Sequence, residues 1–157
     1  MPKIDIAKVP VRTGTVYPAE FRDVVKGREK QALGYAAGLT QFGVNLTRLK
    51  PGAASALRHW HQAEDELIYM LEGELVLVEN EGETVLRPGD AAGFKAGVAN
   101  GHHLINRAAR DAVYLEVGTR TARDHVEYPH ADLVYDKDGD DLRLTHKNGQ
   151  PYPRIER

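Results

Sequence analysis

The chain has 157 residues, a length that corresponds to one globular domain. Hydrophobic residues make up 41% and charged residues 28%, which is typical of a soluble fold and excludes a wholly disordered chain or a polytopic membrane protein. The formal net charge of −2 excludes a strongly basic surface, so nucleic acid is not an expected partner. Cysteine is absent, so disulfides, iron–sulfur clusters and thiol nucleophiles are excluded, and any metal must be bound through nitrogen or oxygen.

The chain shows no sign of a membrane or export segment. No apolar stretch approaches the roughly 20 residues that a membrane span requires. The first residues also lack the apolar core of a signal peptide. We therefore expect no membrane partner and a cytoplasmic location.

Residues 1–37 have no sustained periodicity, because prolines and glycines interrupt the pattern repeatedly. The sequence predicts an irregular N-terminal arm. Residues 22–33 are the segment of this arm that suits a short helix, although Val24, Val25 and Gly27 disfavour one.

Residues 38–119 show short runs of period-two alternation separated by Gly, Pro and Asp, a pattern that indicates β-strands. With no convincing helix between them, seven or eight such strands favour a closed barrel or sandwich and an all-β fold class. The predicted strands cover residues 42–47, 59–61, 67–71, 75–78, 84–86, 102–106 and 112–117.

The C-terminal residues 120–157 are strongly acidic, yet they contain a hairpin signal. Apolar runs at 133–135 and 142–145 flank the Asp138–Gly139 pair, which favours a tight turn. We expect an ordered hairpin tail that belongs, with the arm and the barrel, to a single domain over residues 1–157.

Two pairs of histidines carry the chemical signal of the sequence. His59 and His61 are two residues apart, so on a strand both imidazoles point to the same face. Such a pair fits either an ordinary hydrogen-bonded pair or half of a metal site. Glu66 follows after one bend and offers a carboxylate. His102 and His103 are adjacent, so only one of them faces the interior of a strand.

The spacing of these residues resembles the first conserved motif of the cupin superfamily. Gly52, His59, His61, Glu66 and Gly73 follow that motif, except that six residues instead of five separate Gly52 from His59.

The second cupin motif is also recognisable, with a two-residue insertion. Gly89 and Gly97 fit it, and Lys95 stands where the family has proline. His102 lies four residues before Asn106, as the family pattern requires. The register counted from Asn106 therefore assigns His102 as the ligand, with His103 as the fallback.

The resemblance covers residues 40–118 and implies a jelly-roll barrel, the double-stranded β-helix of cupins. It further implies one divalent metal ion held by His59, His61, Glu66 and His102. Three neutral imidazoles and one carboxylate leave two positions of an octahedral ion open. Such ligands suit Fe, Mn, Ni, Co or Zn. The segments RHWHQAEDE and GFKAGVANGHH are similar to those of small bacterial single-domain cupins, some of them called sugar-phosphate isomerase-like.

A metal in this position predicts an enzyme that acts on a small oxygenated metabolite, of either a dioxygenase or an isomerase type. Residues on or beside the predicted strands are candidates for substrate binding or proton transfer: Arg48, Tyr69, Lys95, Tyr114 and Glu116. The alternative is a non-catalytic barrel that binds or senses a small ligand, because one fold can host both roles. A metal-free interaction module is a third reading. By analogy with the family, we also expect a homodimer.

Overall fold

The computed structural model of the chain describes residues 2–154. Thirteen strands fall within this range: β1 (Val11–Arg12), β2 (Arg28–Ala32), β3 (Phe42–Leu49), β4 (Trp60–His61), β5 (Glu66–Glu72), β6 (Leu75–Glu79), β7 (Gly82–Leu86), β8 (Ala91–Phe94), β9 (His103–Ile105), β10 (Ala112–Thr119), β11 (Arg123–Glu127), β12 (Val134–Asp138) and β13 (Asp141–Thr145). The helices are short: two 3₁₀ helices (Ile6–Lys8 and Ala19–Val25) and one α-helix, α1 (Leu33–Ala36). The predicted all-β class is confirmed.

The strands form three antiparallel sheets. The largest has the order β1-β2-β3-β10-β5-β8, the second β13-β12-β11-β4 and the third β7-β6-β9. Hairpin pairs such as β6-β7 alternate with pairs that are distant in the chain, as when β10 pairs with both β3 and β5. This is the interleaved strand order of a jelly roll, which leaves few free strand edges.

The N-terminal arm differs from its prediction. Residues 22–33 do not form one helix: a 3₁₀ helix ends at Val25, and β2 then pairs with β3 along its full length. The sequence of β2, Arg-Glu-Lys-Gln-Ala, has too little hydrophobic character to be recognised as a strand. Its charged side chains are tolerated because one face of the strand lines a polar cavity.

The hairpin tail is confirmed, but its turn falls on Gly139 and Asp140, one residue later than the predicted Asp138–Gly139 pair, because Asp138 still pairs with Asp141. β11, which precedes them, pairs with β4 and so attaches the tail to the barrel. The arm and the tail also share a hydrophobic cluster. Its buried members are Tyr17, Val25, Val126, Tyr128, Leu133 and Tyr152.

The main core lies inside the barrel, where strand alternation separates buried from exposed side chains. On β5, Ile68 and Met70 are buried, whereas Leu67, Tyr69 and Leu71 are 39–47% exposed on the outer face. The inward residues pack in one cluster with those of the three-stranded sheet, including Leu75, Leu77, Leu86 and Leu104. Among residues 2–154, none of the helices is long and apolar enough to span a bilayer.

The glycines of the recognised motifs lie at turns that require a positive φ. Gly73 joins β5 to β6 with φ of 73°. A Cβ atom there would lie 2.5 Å from the carbonyl oxygen of Asp111 and 2.8 Å from Cα of Ala112. Both neighbours are backbone atoms, so a side chain at this position would fit only if the backbone of Asp111 and Ala112 moved.

We predict that Gly73→Ala lowers the free energy of unfolding by more than about 3 kcal/mol. Left-handed backbone alone costs a non-glycine residue about 1–3 kcal/mol, and the contact with Ala112 adds to it. Gly89→Ala is the matched control, because Gly89 has φ of 92° with no atom near its missing Cβ. Urea unfolding measures both variants. Equal losses would contradict a role for the close approach.

Candidate metal centre

Backbone pairing brings three histidines to one end of the barrel. His59 and His102 form an isolated antiparallel bridge, in which each N–H donates to the carbonyl oxygen of the other at 3.2 and 3.0 Å. Opposite residues in such a pair project to the same face. His61 shares that face with His59 on the strand, and pairing with Val126 of β11 holds it in place. The ring centroid of His59 lies 5.1 Å from that of His61 and 5.1 Å from that of His102.

Glu66, the first residue of β5, points its carboxylate at all three imidazoles. Its Oε1 lies 2.8 Å from Nε2 of His61 and 3.6 Å from Nε2 of His59. Its other oxygen, Oε2, lies 2.8 Å from Nε2 of His102. The ring of Phe94 stacks on that of His102, with centroids 3.5 Å apart, and limits its rotation. Four side chains from separate parts of the chain thus converge on one place.

The other nitrogen of each imidazole is held by a hydrogen-bond acceptor. Nδ1 of His59 lies 2.7 Å from the carbonyl oxygen of Leu57, and Nδ1 of His102 lies 3.0 Å from that of Asn100. Nδ1 of His61 lies 2.6 Å from a carboxylate oxygen of Asp124. Since carbonyl and carboxylate oxygens only accept, each Nδ1 carries the proton. Nε2 is then the nitrogen with a free lone pair, which is the usual arrangement of metal-binding histidines.

This arrangement needs positive charge beside the Glu66 carboxylate, supplied either by protonated imidazoles or by a bound cation. If His61 and His102 were neutral, the lone pair on each Nε2 would face a carboxylate oxygen of Glu66 at 2.8 Å. Both groups are hydrogen-bond acceptors, so they would repel each other. Protonation is one solution: although burial opposes it, hydrogen bonds to Asp124 and Glu66 raise the pKa of His61 to about 10. For Glu66, burial raises the pKa. Hydrogen bonds from His102, His59 and His61 outweigh the effect of burial and lower this pKa to well below its usual value.

A divalent metal ion is the other cation that satisfies these groups, and the donor set fits one. His59, His61 and Glu66 offer ligand atoms within 4.8 Å of one another, and His102 joins through Glu66 Oε2. Ligands about 2.1 Å from an octahedral ion lie about 3 Å apart when adjacent, close to the 2.8 Å separations of the cluster. His59, His61 and Glu66 could therefore hold a divalent ion, and His102 lies beside the second oxygen of the same carboxylate.

The tail supplies a second layer of contacts behind His61. Asp124 of β11, its side chain only 1% exposed, also accepts a hydrogen bond from the backbone N–H of Ala63. Glu64 lies beside it and is held by the ammonium group of Lys137 and the backbone N–H of Thr121. These bonds leave Asp124 one orientation, which in turn fixes the ring of His61.

A cavity of about 210 Å³ lies against the ligands inside the barrel. Its lining is unusually polar for a barrel interior. Besides the four candidate ligands, it includes Tyr17, Arg28, Lys30, Ser55, His103, Tyr114, Glu116, Tyr128 and Tyr135.

The structure separates the residues that the sequence suggested for substrate binding or proton transfer. Tyr114 and Glu116 line the cavity. Lys95 lies at a second depression, which shares His61, Glu66 and His102 with the cavity. Tyr69 is 42% exposed on the outer face of β5, and Arg48 pairs with Asp111 on the surface, so neither is brought to the site.

The two adjacent histidines have different neighbours. His102 faces Glu66, whereas Nδ1 of His103 lies 2.8 Å from the carbonyl oxygen of Ala56. His103 therefore lines the cavity without approaching the carboxylate of Glu66.

Sequence reasoning missed Arg28, Lys30 and Asp124, all of which lie outside the segment that resembles cupins. The alternation of Arg28 and Lys30 is compatible with a strand. Charged residues on one face of a strand are, however, normally interpreted as exposed to solvent, not as lining an internal cavity. Asp124 belongs to an acidic run, which offers no signal to distinguish one buried carboxylate from its exposed neighbours.

The fold and the site together define a β-barrel protein with a histidine–carboxylate cluster at a polar internal cavity. The crystal structure of a sugar phosphate isomerase of the cupin superfamily from Silicibacter pomeroyi is similar to the chain over nearly its whole length. The TM-score is 0.93 and the identity 43%, covering 99% of this chain and 100% of that one. The chain therefore belongs to the cupin superfamily.

Other comparisons agree with this assignment. The cupin domain family model matches residues 45–118. A candidate sugar phosphate isomerase from Acidithiobacillus ferrooxidans is 29% identical with a TM-score of 0.73, covering 83% of this chain and 81% of that one. The polyketide cyclase RemF from Streptomyces resistomycificus, at 20% identity and a TM-score of 0.63 over 76% of this chain and 79% of its own, shares the fold. No curated protein matches the chain significantly.

We predict that the purified protein binds up to one equivalent of divalent metal per chain and that His61→Ala abolishes this binding. His103→Ala should retain it, because His103 makes no contact with Glu66. Elemental analysis measures the metal, and circular dichroism establishes that both variants are folded. Retention in His61→Ala together with loss in His103→Ala would show that the ligand register is wrong.

Asp124→Asn should weaken metal affinity by roughly 10- to 100-fold, the usual effect of removing a carboxylate that orients a ligand histidine. Asparagine can still accept from the backbone N–H of Ala63, so the local fold should persist. Asp136→Asn is the matched control, since Asp136 on the next strand bonds His125 and not a candidate ligand. Competition with a chromogenic chelator measures the affinities. Equal affinity in the two variants would contradict the role of Asp124.

Proposed function

We propose that the chain is a metal-dependent isomerase that acts on a small hydroxy-carbonyl metabolite. The observation that carries this proposal is the set of three histidines, each with Nδ1 anchored, whose Nε2 atoms converge with Glu66 beside a polar cavity. A divalent ion held by these residues would supply a Lewis acid for the negative charge that develops on a carbonyl oxygen.

The size and lining of the cavity support a small oxygenated substrate. Its volume of about 210 Å³ is below the roughly 300–1,000 Å³ of pockets for drug-sized ligands. Hydroxyl, imidazole and charged groups make up about half of its wall, so a hydrocarbon ligand would leave several of them without partners. A metabolite with several hydroxyl or carbonyl oxygens would satisfy them.

His103 is the group that we assign to proton transfer. Isomerisation of a hydroxy-carbonyl compound moves a proton from one carbon to the neighbouring carbon, while the hydroxyl proton passes to the former carbonyl oxygen. His103 donates Nδ1–H to the carbonyl oxygen of Ala56, so its Nε2 carries the free lone pair. Because the ring lines the cavity and does not contact Glu66, it can accept a proton without giving up a ligand.

The similarity to the Silicibacter pomeroyi protein, called a sugar phosphate isomerase, supports the isomerase type over the dioxygenase type. The cavity contributes to the same preference, because it offers a proton acceptor beside the candidate ligands. A dioxygenase, or a barrel that only binds its ligand, are the alternatives that the following experiment distinguishes.

The metal-loaded protein should exchange substrate C–H for solvent deuterium when incubated in D₂O with a panel of aldoses, ketoses and their phosphate esters. Nuclear magnetic resonance detects the exchange, and an oxygen electrode monitors the same mixtures. We expect exchange without oxygen uptake. Oxygen uptake would establish the dioxygenase type, and binding without exchange would establish a ligand-binding protein.

His103→Asn should lower the exchange rate by at least roughly 100-fold, the lower limit for loss of a general acid–base group. Metal content should not change. His130→Asn is the control, because His130 is exposed and bonds Arg58 instead of the cavity wall. Unchanged exchange in His103→Asn would remove His103 from the mechanism without affecting the metal centre.

A further inference from the structure

Two hydroxyl groups inside the barrel have no hydrogen-bond partner among the residues that the structure describes: Oη of Tyr114 and Oγ1 of Thr47. Both residues are completely buried. An unsatisfied buried hydroxyl destabilises a fold, so such groups are rare and call for a partner. The two hydroxyls lie on paired strands near enough to interact, but when one donates to the other, the second O–H still lacks an acceptor. Tyr114 lines the cavity beside the metal ligands, and a molecule in the cavity is the partner within reach.

Strand register places these hydroxyls next to basic side chains. Thr47 on β3 lies opposite Tyr114 on β10 and opposite Lys30 on β2, so the three form one row across the inner face of the sheet. Arg28 is two residues before Lys30 and therefore projects to the same side. Lys30 and Arg28 both line the cavity.

The two basic residues differ in their charge partners. Nζ of Lys30 lies 2.9 Å from Oε1 of Glu116, so this pair is neutral as a whole. Arg28 donates to the carbonyl oxygens of Ser55 and Gly14 at 2.7 and 3.4 Å. Within residues 2–154, no carboxylate lies close enough to pair with its guanidinium group. Arg28 thus brings to the cavity a positive charge that the protein leaves uncompensated.

The charges of the complete site favour an anion. Glu66 and the buried Asp124 behind His61 together offset the two charges of a divalent ion, and the histidine ligands are neutral, so Arg28 leaves the site with a surplus of positive charge. We propose that Arg28 and Tyr114 form a subsite for an anionic oxygen group of the substrate, a phosphate or a carboxylate. This inference deepens the proposed function and rests on it for the rest of the substrate.

The donors of the subsite suit such a group. Arg28 has N–H groups that its two carbonyl contacts do not use, and guanidinium matches the oxygens of phosphate and carboxylate well. Burial raises the pKa of Tyr114 well above its usual value, so its hydroxyl remains protonated and donates. Thr47, completely buried, lies opposite Tyr114 on the neighbouring strand and does not line the cavity.

Titration calorimetry with inorganic phosphate, acetate and glycerol tests the subsite. We expect the metal-loaded protein to bind at least one of the two anions and to bind glycerol much more weakly. Phosphate and acetate distinguish the two possible sources of the negative charge. Tyr114→Phe should weaken anion binding roughly tenfold, the usual loss for one hydrogen bond to a charged group. Absence of anion binding to the unaltered protein would overturn the inference.

Tyr69→Phe is the matched control, because it makes the same change on the outer face of the barrel and should leave anion affinity unchanged. Arg28→Gln should weaken the binding of each anion that the unaltered protein binds by more than tenfold and leave glycerol unaffected. If Tyr114→Phe or Arg28→Gln retains full anion affinity, the subsite is refuted.

A second measurement separates a ligand-binding hydroxyl from a structural one. Without added anion, Tyr114→Phe should keep or raise the melting temperature, since it deletes an unpartnered polar atom. A lower melting temperature would show that the hydroxyl serves the fold and would overturn the inference. Repeating the phosphate titration with His61→Ala distinguishes this failure from that of the metal centre: binding that persists there and weakens with Tyr114→Phe belongs to the subsite.

Discussion

The anchoring of three imidazole rings through Nδ1 is the constraint on which the site depends. Each ring has one nitrogen committed to an oxygen acceptor, at Leu57, Asn100 or Asp124, and each therefore directs its other nitrogen inward. Free histidines could relieve the crowding around Glu66 by rotating or changing tautomer. The anchored rings cannot, so three Nε2 atoms and the Glu66 carboxylate stay directed at one another, and either protonation of the rings or a bound metal ion satisfies them.

Segments outside the shared barrel motifs complete this constraint. Asp124, in the tail, holds His61, while Arg28 and Lys30 come from β2, in the arm. The arm and tail pack against each other through Tyr17 and Tyr128, whose rings meet edge to face with centroids 5.9 Å apart. Variation in these segments could therefore change the ligand of the cavity while the barrel and its candidate metal ligands stay the same.

Sequence alone predicted the barrel well because its strands alternate in the ordinary way. Ile68 and Met70 point inward between exposed neighbours, as a half-buried strand requires. The arm was harder. In β2 the side chains that face the interior are charged, and the burial of a charge depends on partners distant in the chain, such as Glu116.

For the site, the sequence predicted the candidate ligands but not the contacts that bring them together. The two-residue spacing of His59 and His61 predicts that both side chains point to the same face of the strand. The motif spacing added Glu66 and His102 as candidate ligands. The bridge between His59 and His102 is a tertiary contact, so the sequence could not supply it. Nor could it show that Tyr69 faces outward while Tyr114 faces inward, because both belong to apolar strands and their direction depends on which face the barrel closes around.

Anomalous X-ray diffraction from crystals of the zinc-loaded protein, recorded above and below the zinc absorption edge, tests the central claim most directly. The account predicts one strong peak per chain, bonded to Nε2 of His59, His61 and His102 and to the carboxylate of Glu66. A peak at a different cluster, or a zinc ion bound to His61 through Nδ1, would contradict it.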